Sequence, residues 1–84
     1  MACSVTLKNI QQKDNVITAD YYPDMDPTDI GHIKYFVDSD TSHIKYCKKD
    51  QSTNDKIYSI KSMEKIKAFR DRDFIPEIGF VHWC

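Results

Sequence analysis

Gly31-His32-Ile33-Lys34-Tyr35 and Ser42-His43-Ile44-Lys45-Tyr46 share the word His-Ile-Lys-Tyr, eleven residues apart. Both stretches alternate polar with apolar residues, the period of two that marks a strand with one face buried. Ser39-Asp40-Thr41-Ser42 between them is rich in turn residues. We read the pair as two strands of one hairpin that converge on the same alternation; an ancient duplication is the other reading. A four-residue loop sets Asp38 opposite His43, Val37 opposite Ile44 and Tyr35 opposite Tyr46. One face then carries Val37, Ile44 and both tyrosines, and His32, Lys34 and Lys45 point to the other. A slip by one residue would mix the faces, which burial penalises.

Toward the N-terminus, Cys3-Ser4-Val5-Thr6-Leu7-Lys8 alternates in the same way. Gln11 to Asp14 interrupts it, and Val16-Ile17-Thr18-Ala19-Asp20-Tyr21-Tyr22 is a second run of strand formers. These two are predicted to form a hairpin. Pro23-Asp24-Met25-Asp26-Pro27-Thr28-Asp29 is a loop, because two prolines remove donors and the aspartates favour local turns. Toward the C-terminus, helix signals gather over 53–72. Ile57, Ile60, Met63, Ile66 and Phe69 recur every third residue, so at about 100° per residue no single straight stripe holds all five. The helix start has two readings, a Ser52-x-x-Asp55 capping box or Ser59 as N-cap with Tyr58 and Met63 as its staple. Residues 53–59 are thus helix, loop or strand end. Basic residues at Arg70–Arg72 close the segment, and Pro76 forbids its continuation. Ile78 to Trp83 returns to strand character. The expected fold is a single α+β domain over 1–84. It is an antiparallel β-meander of about four strands with one α-helix packed on one face, and a C-terminal strand added to the sheet.

Composition bounds the function. At 84 residues with 40% hydrophobic side chains the chain holds one core, too small for a deep cleft. No apolar run reaches the ~18 residues of a membrane span, and the N-terminus has no signal-peptide pattern. Cys3, Cys47 and Cys84 are odd in number and form no C-x-x-C pair, so three reduced thiols in the cytoplasm are expected. The net charge of −1 hides an asymmetry: residues 1–42 sum to −4, 43–72 to +5 and the last twelve to −2.

Spacing limits the candidate sites. The acidic loop at 24–29 lacks the Gly and Glu of an EF-hand, having Asp29 and Tyr35 at those positions. His43 and Cys47 on one strand lie about 13 Å apart, too far for one metal ion. His82 and Cys84, about 6–7 Å apart on a shared strand face, are near enough to chelate but have no second pair to match. Asp38-Ser39-Asp40-Thr41 reads as a hairpin tip, and Gly31 and Gly79 supply no phosphate loop or nucleophile elbow. We therefore expect no enzyme, no catalytic or metal site, no cofactor and no small-molecule substrate. The basic segment 43–72 stands out, with Lys45, Lys48, Lys49, Lys61, Lys65, Arg70 and Arg72 interleaved with aromatic residues. Two functions are consistent with this. One is a non-catalytic cytoplasmic protein-interaction or self-associating domain that uses its edge strands and opposed charges. The other is a nucleic-acid-binding module that uses segment 43–72.

Ala19-Asp20-Tyr21-Tyr22-Pro23, Ile30-Gly31-His32-Ile33-Lys34 and the ending Ile75-Pro76 to Trp83, taken together, resemble short hypothetical proteins of low-GC Gram-positive bacteria. The resemblance implies a hairpin, a Gly-led strand, a helix and a Trp-ending strand. It carries over no activity and no site.

Overall fold

The structure is a computed structural model that describes residues 3–52, 54–70, 72 and 75–83. Strands β1 (Ser4–Lys13), β2 (Val16–Pro23), β3 (Gly31–Phe36) and β4 (Thr41–Lys45) run as an antiparallel meander. Helices α1 (Lys48–Gln51) and α2 (Ile57–Phe69) follow, and β5 (Gly79–His82) returns to pair with β1. The sheet order is β4-β3-β2-β1-β5. The expected α+β meander with one main helix and an added C-terminal strand is the observed fold. No described helix is long and apolar enough to cross a membrane.

Three local features differ from expectation, each for a physical reason. First, β1 does not end at Lys8. Val5 and Leu7 point inward, and then Ile10 does, so the alternation changes phase. A bulge absorbs the change: the register with β2 shifts between Lys8 and Gln11, and Asn9 adopts φ 54°. The extra residue keeps Ile10 in the core and lets the strand run on to a two-residue turn. In that turn Asp14 and Asn15 both have positive φ, 53° and 62°, as a type I′ hairpin requires.

Second, the β3–β4 register lies four residues from the expected one. Ile33 faces Ile44, Lys34 faces His43 and Phe36 faces Thr41 across a turn at 37–40. An even slip preserves the faces, so Tyr35 and Ile44 still point inward and His32, Lys34 and Lys45 outward. The turn is held elsewhere. Asp40 at φ 51° accepts the Tyr35 hydroxyl at 2.5 Å, and the Val37 amide reaches the Asn15 carbonyl at 3.0 Å.

Third, α2 starts through neither expected cap. Its N-cap is Lys56, at φ 52°, whose side chain makes no capping hydrogen bond. The cap comes from Asp50 at the end of α1: its carboxylate accepts the Tyr58 amide at 3.1 Å and the Ser59 amide at 2.9 Å. Among residues 53–59, positions 57–59 are therefore helix, 54–56 precede it, and Thr53 lies outside the described residues.

The core lies between the sheet and α2. Val5, Leu7, Ile17, Tyr21 and Tyr35 meet Met63, Ile66 and Phe69. Ser59 and Ser62 are buried in place of Ile60, which stays 48% exposed. Their hydroxyls turn back to the Lys56 and Tyr58 carbonyls, and small side chains there let the helix lie close to the sheet. Tyr21 crosses β3 over Gly31, where a Cβ would stand 2.3 Å from the ring. The helix packs on β1, β2 and β5 and covers one face only.

Cys3 is disulfide-bonded, whereas Cys47 is a buried free thiol. This departs from the expectation of three reduced thiols. The β1–β5 pairing brings Cys3 beside the end of β5, where the Trp83 amide donates to its carbonyl at 3.1 Å. Cys84, and with it the expected His82–Cys84 pair, lies outside the described residues.

Candidate functional site: the open face of the sheet

Strand pairing aligns the residues that point away from α2 into rows. One row runs Lys8–Asp20–His32–Lys45 across four strands, and the next runs Gln11–Thr18–Lys34–His43. At the β5 side, Phe80 and Tyr22 both neighbour Thr6, and His82 neighbours Ser4. At the other end Phe36 stands between Val16 and Thr41. Lys13, opposite Val16, completes the basic set.

The face is chemically unlike the rest of the molecule. Its strand residues include Lys8, Lys13, Lys34 and Lys45 but only one acid, Asp20, a formal charge of +3 in a chain whose total is −1. All three histidines of the chain lie on it. So do three aromatic side chains. Phe80 is 52% exposed, with its ring within 10° of parallel to His82 at 6.5 Å between centroids. Lys8 lies 5.7 Å over the Tyr22 ring, and Phe36 meets His43 edge to face at 5.6 Å. A shallow concavity of about 530 Å³ follows the middle of the face past Asp20, His32, Lys34, His43 and Lys45.

Asp20 is held at the centre. His32 Nδ1 lies 2.6 Å from Asp20 Oδ1, and Asn9 Nδ2 donates to Oδ2 at 2.9 Å. A carboxylate accepts and does not donate, so Nδ1 carries the proton and the other ring nitrogen faces outward. The Asn9 bond depends on the bulge, which turns that side chain toward β2.

The seven basic residues singled out from the sequence do not form one surface. Lys45 alone is on the open face. Lys48 and Lys49 are on α1, and Lys49 pairs with Asp24. Lys61 and Lys65 lie on α2, over the rings of Trp83 and Phe69. Arg70 donates to the Tyr35 hydroxyl at 2.8 Å and lies 3.6 Å from Asp40, while Arg72 lies over Phe69. The linear charge count missed the open face because Lys8, Lys13 and Lys34 sit in the acidic first half. The alternation that placed His32, Lys34 and Lys45 on one side was the available signal.

Other clusters are occupied by structural work. In the acidic loop Asp24 accepts from Lys49, from the Tyr58 hydroxyl at 2.5 Å and from the Ser4 amide at 3.3 Å. Burial opposes its ionisation, but these donors outweigh it and hold the carboxyl below its ordinary range. Asp26 closes on Thr28, and Asp29 caps α1 through the Lys48 and Lys49 amides at 2.6 and 3.0 Å. Among the described residues no three potential ligands gather around a metal position. Cys47 is on the core side, opposite His43, and burial raises its thiol above the ordinary range. A second concavity of about 480 Å³ runs between β4 and α2, lined by Ile44, Tyr46, Ile60 and Met63.

No family model, curated protein or solved structure matches the chain.

Proposed function

We propose that the protein binds single-stranded nucleic acid on the open face of its sheet. The observation that carries this reading is the segregation of four lysines, three imidazoles and three aromatic rings onto one uncovered face. Cations alone would hold any polyanion. Aromatic rings beside them add stacking, which every base offers and a duplex hides. Five strands at about 4.8 Å spacing give a platform about 20 Å across, room for the two or three bases that a sheet platform stacks.

The test is fluorescence anisotropy of a labelled deoxythymidine ten-mer. Four lysines on phosphates of a single strand give a slope of log K against log salt of about −3. Affinity should then fall about fifty-fold between 50 and 200 mM salt. Lys34→Ala with Lys45→Ala should halve the slope, and Phe80→Ala should cost about fivefold to a hundredfold in affinity. Lys61, Lys65 and Arg72→Ala together should leave binding unchanged. A loss there instead would move the site to the helix, and no binding at the lowest salt would sink the reading.

A second reading concerns β4. It is an open edge beside the apolar groove formed with α2, and open edges pair with other strands. A second copy is the favoured occupant. Antiparallel pairing centred on His43 sets Lys45 against Thr41 and keeps the lysines apart. Light scattering over a concentration series at two salt levels tests it, and a monomer throughout removes it.

A further inference from the structure

We propose that Asp20 makes the open face select guanine. This rests on the nucleic-acid reading above and names the base that the face prefers. Asp20 is the one acid among the strand residues of the face, and it lies on β2, the middle strand of the sheet. Lys8 and His32 flank it, with Lys45 beyond His32. A carboxylate there repels phosphate, so the backbone must track the lysines and leave Asp20 to meet a base edge.

The carboxylate is oriented for that role. His32 binds Oδ1 at 2.6 Å and Asn9 binds Oδ2 at 2.9 Å, one donor to each oxygen. A carboxylate has about four acceptor sites, so each of its two adjacent oxygens keeps one for a ligand. Asp20 is 25% exposed, open to a ligand yet fixed in place. Two parallel acceptors need two parallel donors. Only guanine offers them, through N1–H and the 2-amino group on its Watson–Crick edge. Adenine and cytosine each set an acceptor nitrogen beside their amino group, which a carboxylate repels. Thymine and uracil have a single imide N–H between two carbonyls.

The experiment measures anisotropy for a deoxythymidine ten-mer and for the same oligomer with one central base replaced. With guanine the affinity should rise about tenfold, within the range of a bidentate base contact. Inosine, which lacks the 2-amino group, should lose most of that gain, and 7-deazaguanine, whose Watson–Crick edge is intact, should keep it. Asp20→Asn should abolish the guanine preference and at the same time bind the all-thymidine oligomer more tightly, since a repulsive charge is gone. An Asp20 that only repels phosphate would give the second effect without the first. Equal binding of all bases by the parent protein, or a preference lost with 7-deazaguanine and kept with inosine, overturns the guanine assignment alone. No binding of any oligomer overturns the nucleic-acid reading itself. The base analogues use the unmodified protein, so the outcome does not depend on the variant folding.

Discussion

Replacing Asp50 by alanine should remove a large part of the protein's stability. The side chain is fully buried and accepts the Tyr21 hydroxyl at 2.8 Å along with the Tyr58 and Ser59 amides. Alanine leaves three buried donors with no acceptor. Each orphaned donor costs about 1–3 kcal/mol, and partial relaxation around the small cavity brings the total to about 3–5 kcal/mol. For 84 residues the whole stability is about 4–13 kcal/mol. With a urea m-value of about 1–1.5 kcal/mol/M, the unfolding midpoint should fall by about 2–5 M. Asp50→Asn keeps one acceptor oxygen and should lose about half as much. Adding Tyr21→Phe to Asp50→Ala removes one of the orphans, so the double variant should be less destabilised than the two single losses summed. The assay is urea unfolding followed by far-UV circular dichroism. A midpoint for Asp50→Ala within about 0.5 M of the parent would mean that α2 is capped some other way.

Gly31→Ala drives a methyl group into the Tyr21 ring and to 2.8 Å from the Lys45 carbonyl. It should cost about 1–3 kcal/mol in the same urea assay, and an unchanged midpoint would show that the ring does not cross β3 there. Asp24, Asp26 and Asp40 have folded-state pKa values below their unfolded ones. Their contribution is therefore complete above about pH 4 and lost as pH falls through the folded values. Melting temperature should drop over that range, and less steeply in Asp24→Asn. At the alkaline end, burial raises the Tyr21 and Tyr58 phenols. Stability should fall as pH rises above about 10, and absorbance at 295 nm should show Tyr21 ionising only as the chain unfolds. Peptide mapping after brief iodoacetamide treatment should find Cys47 unmodified in the native protein and modified in urea, because burial keeps the thiol protonated and covered.

The fold was legible wherever one periodicity ran unbroken. The alternation over 31–46 set the faces of β3 and β4 correctly even though the register was four residues off, because an even slip is invisible to polarity. What polarity could not supply was the turn. Asp40 looks equivalent to the other three turn residues, whereas its bond to Tyr35 and the Val37–Asn15 backbone bond fix where the chain reverses. The alternating stretch is legible only to Lys8, because a bulge and a strand end break alternation alike. In the sequence Asp50 is one acid within a basic segment. Its role as a cap for α2 joins residues eight and nine positions away across a loop, beyond the reach of local capping patterns. The open face is half visible in the sequence: alternation places His32, Lys34 and Lys45 together, but Lys8, Lys13 and His82 join only when the order β4-β3-β2-β1-β5 is known.

That order also bears on how the chain comes together. The meander β1 to β4 is built from neighbours in sequence and can zip up by itself, but β1 gains its second partner only when residues 79–82 arrive from the far side of α2. Until then the strand that carries Val5 and Leu7 is a border of the sheet, ready to join any other strand that drifts past. A partly folded chain is thus most adhesive at its first strand, and four late residues decide whether it closes on itself or on a neighbour. Weakening β5 should therefore appear first as aggregation during refolding, before any change in the finished molecule.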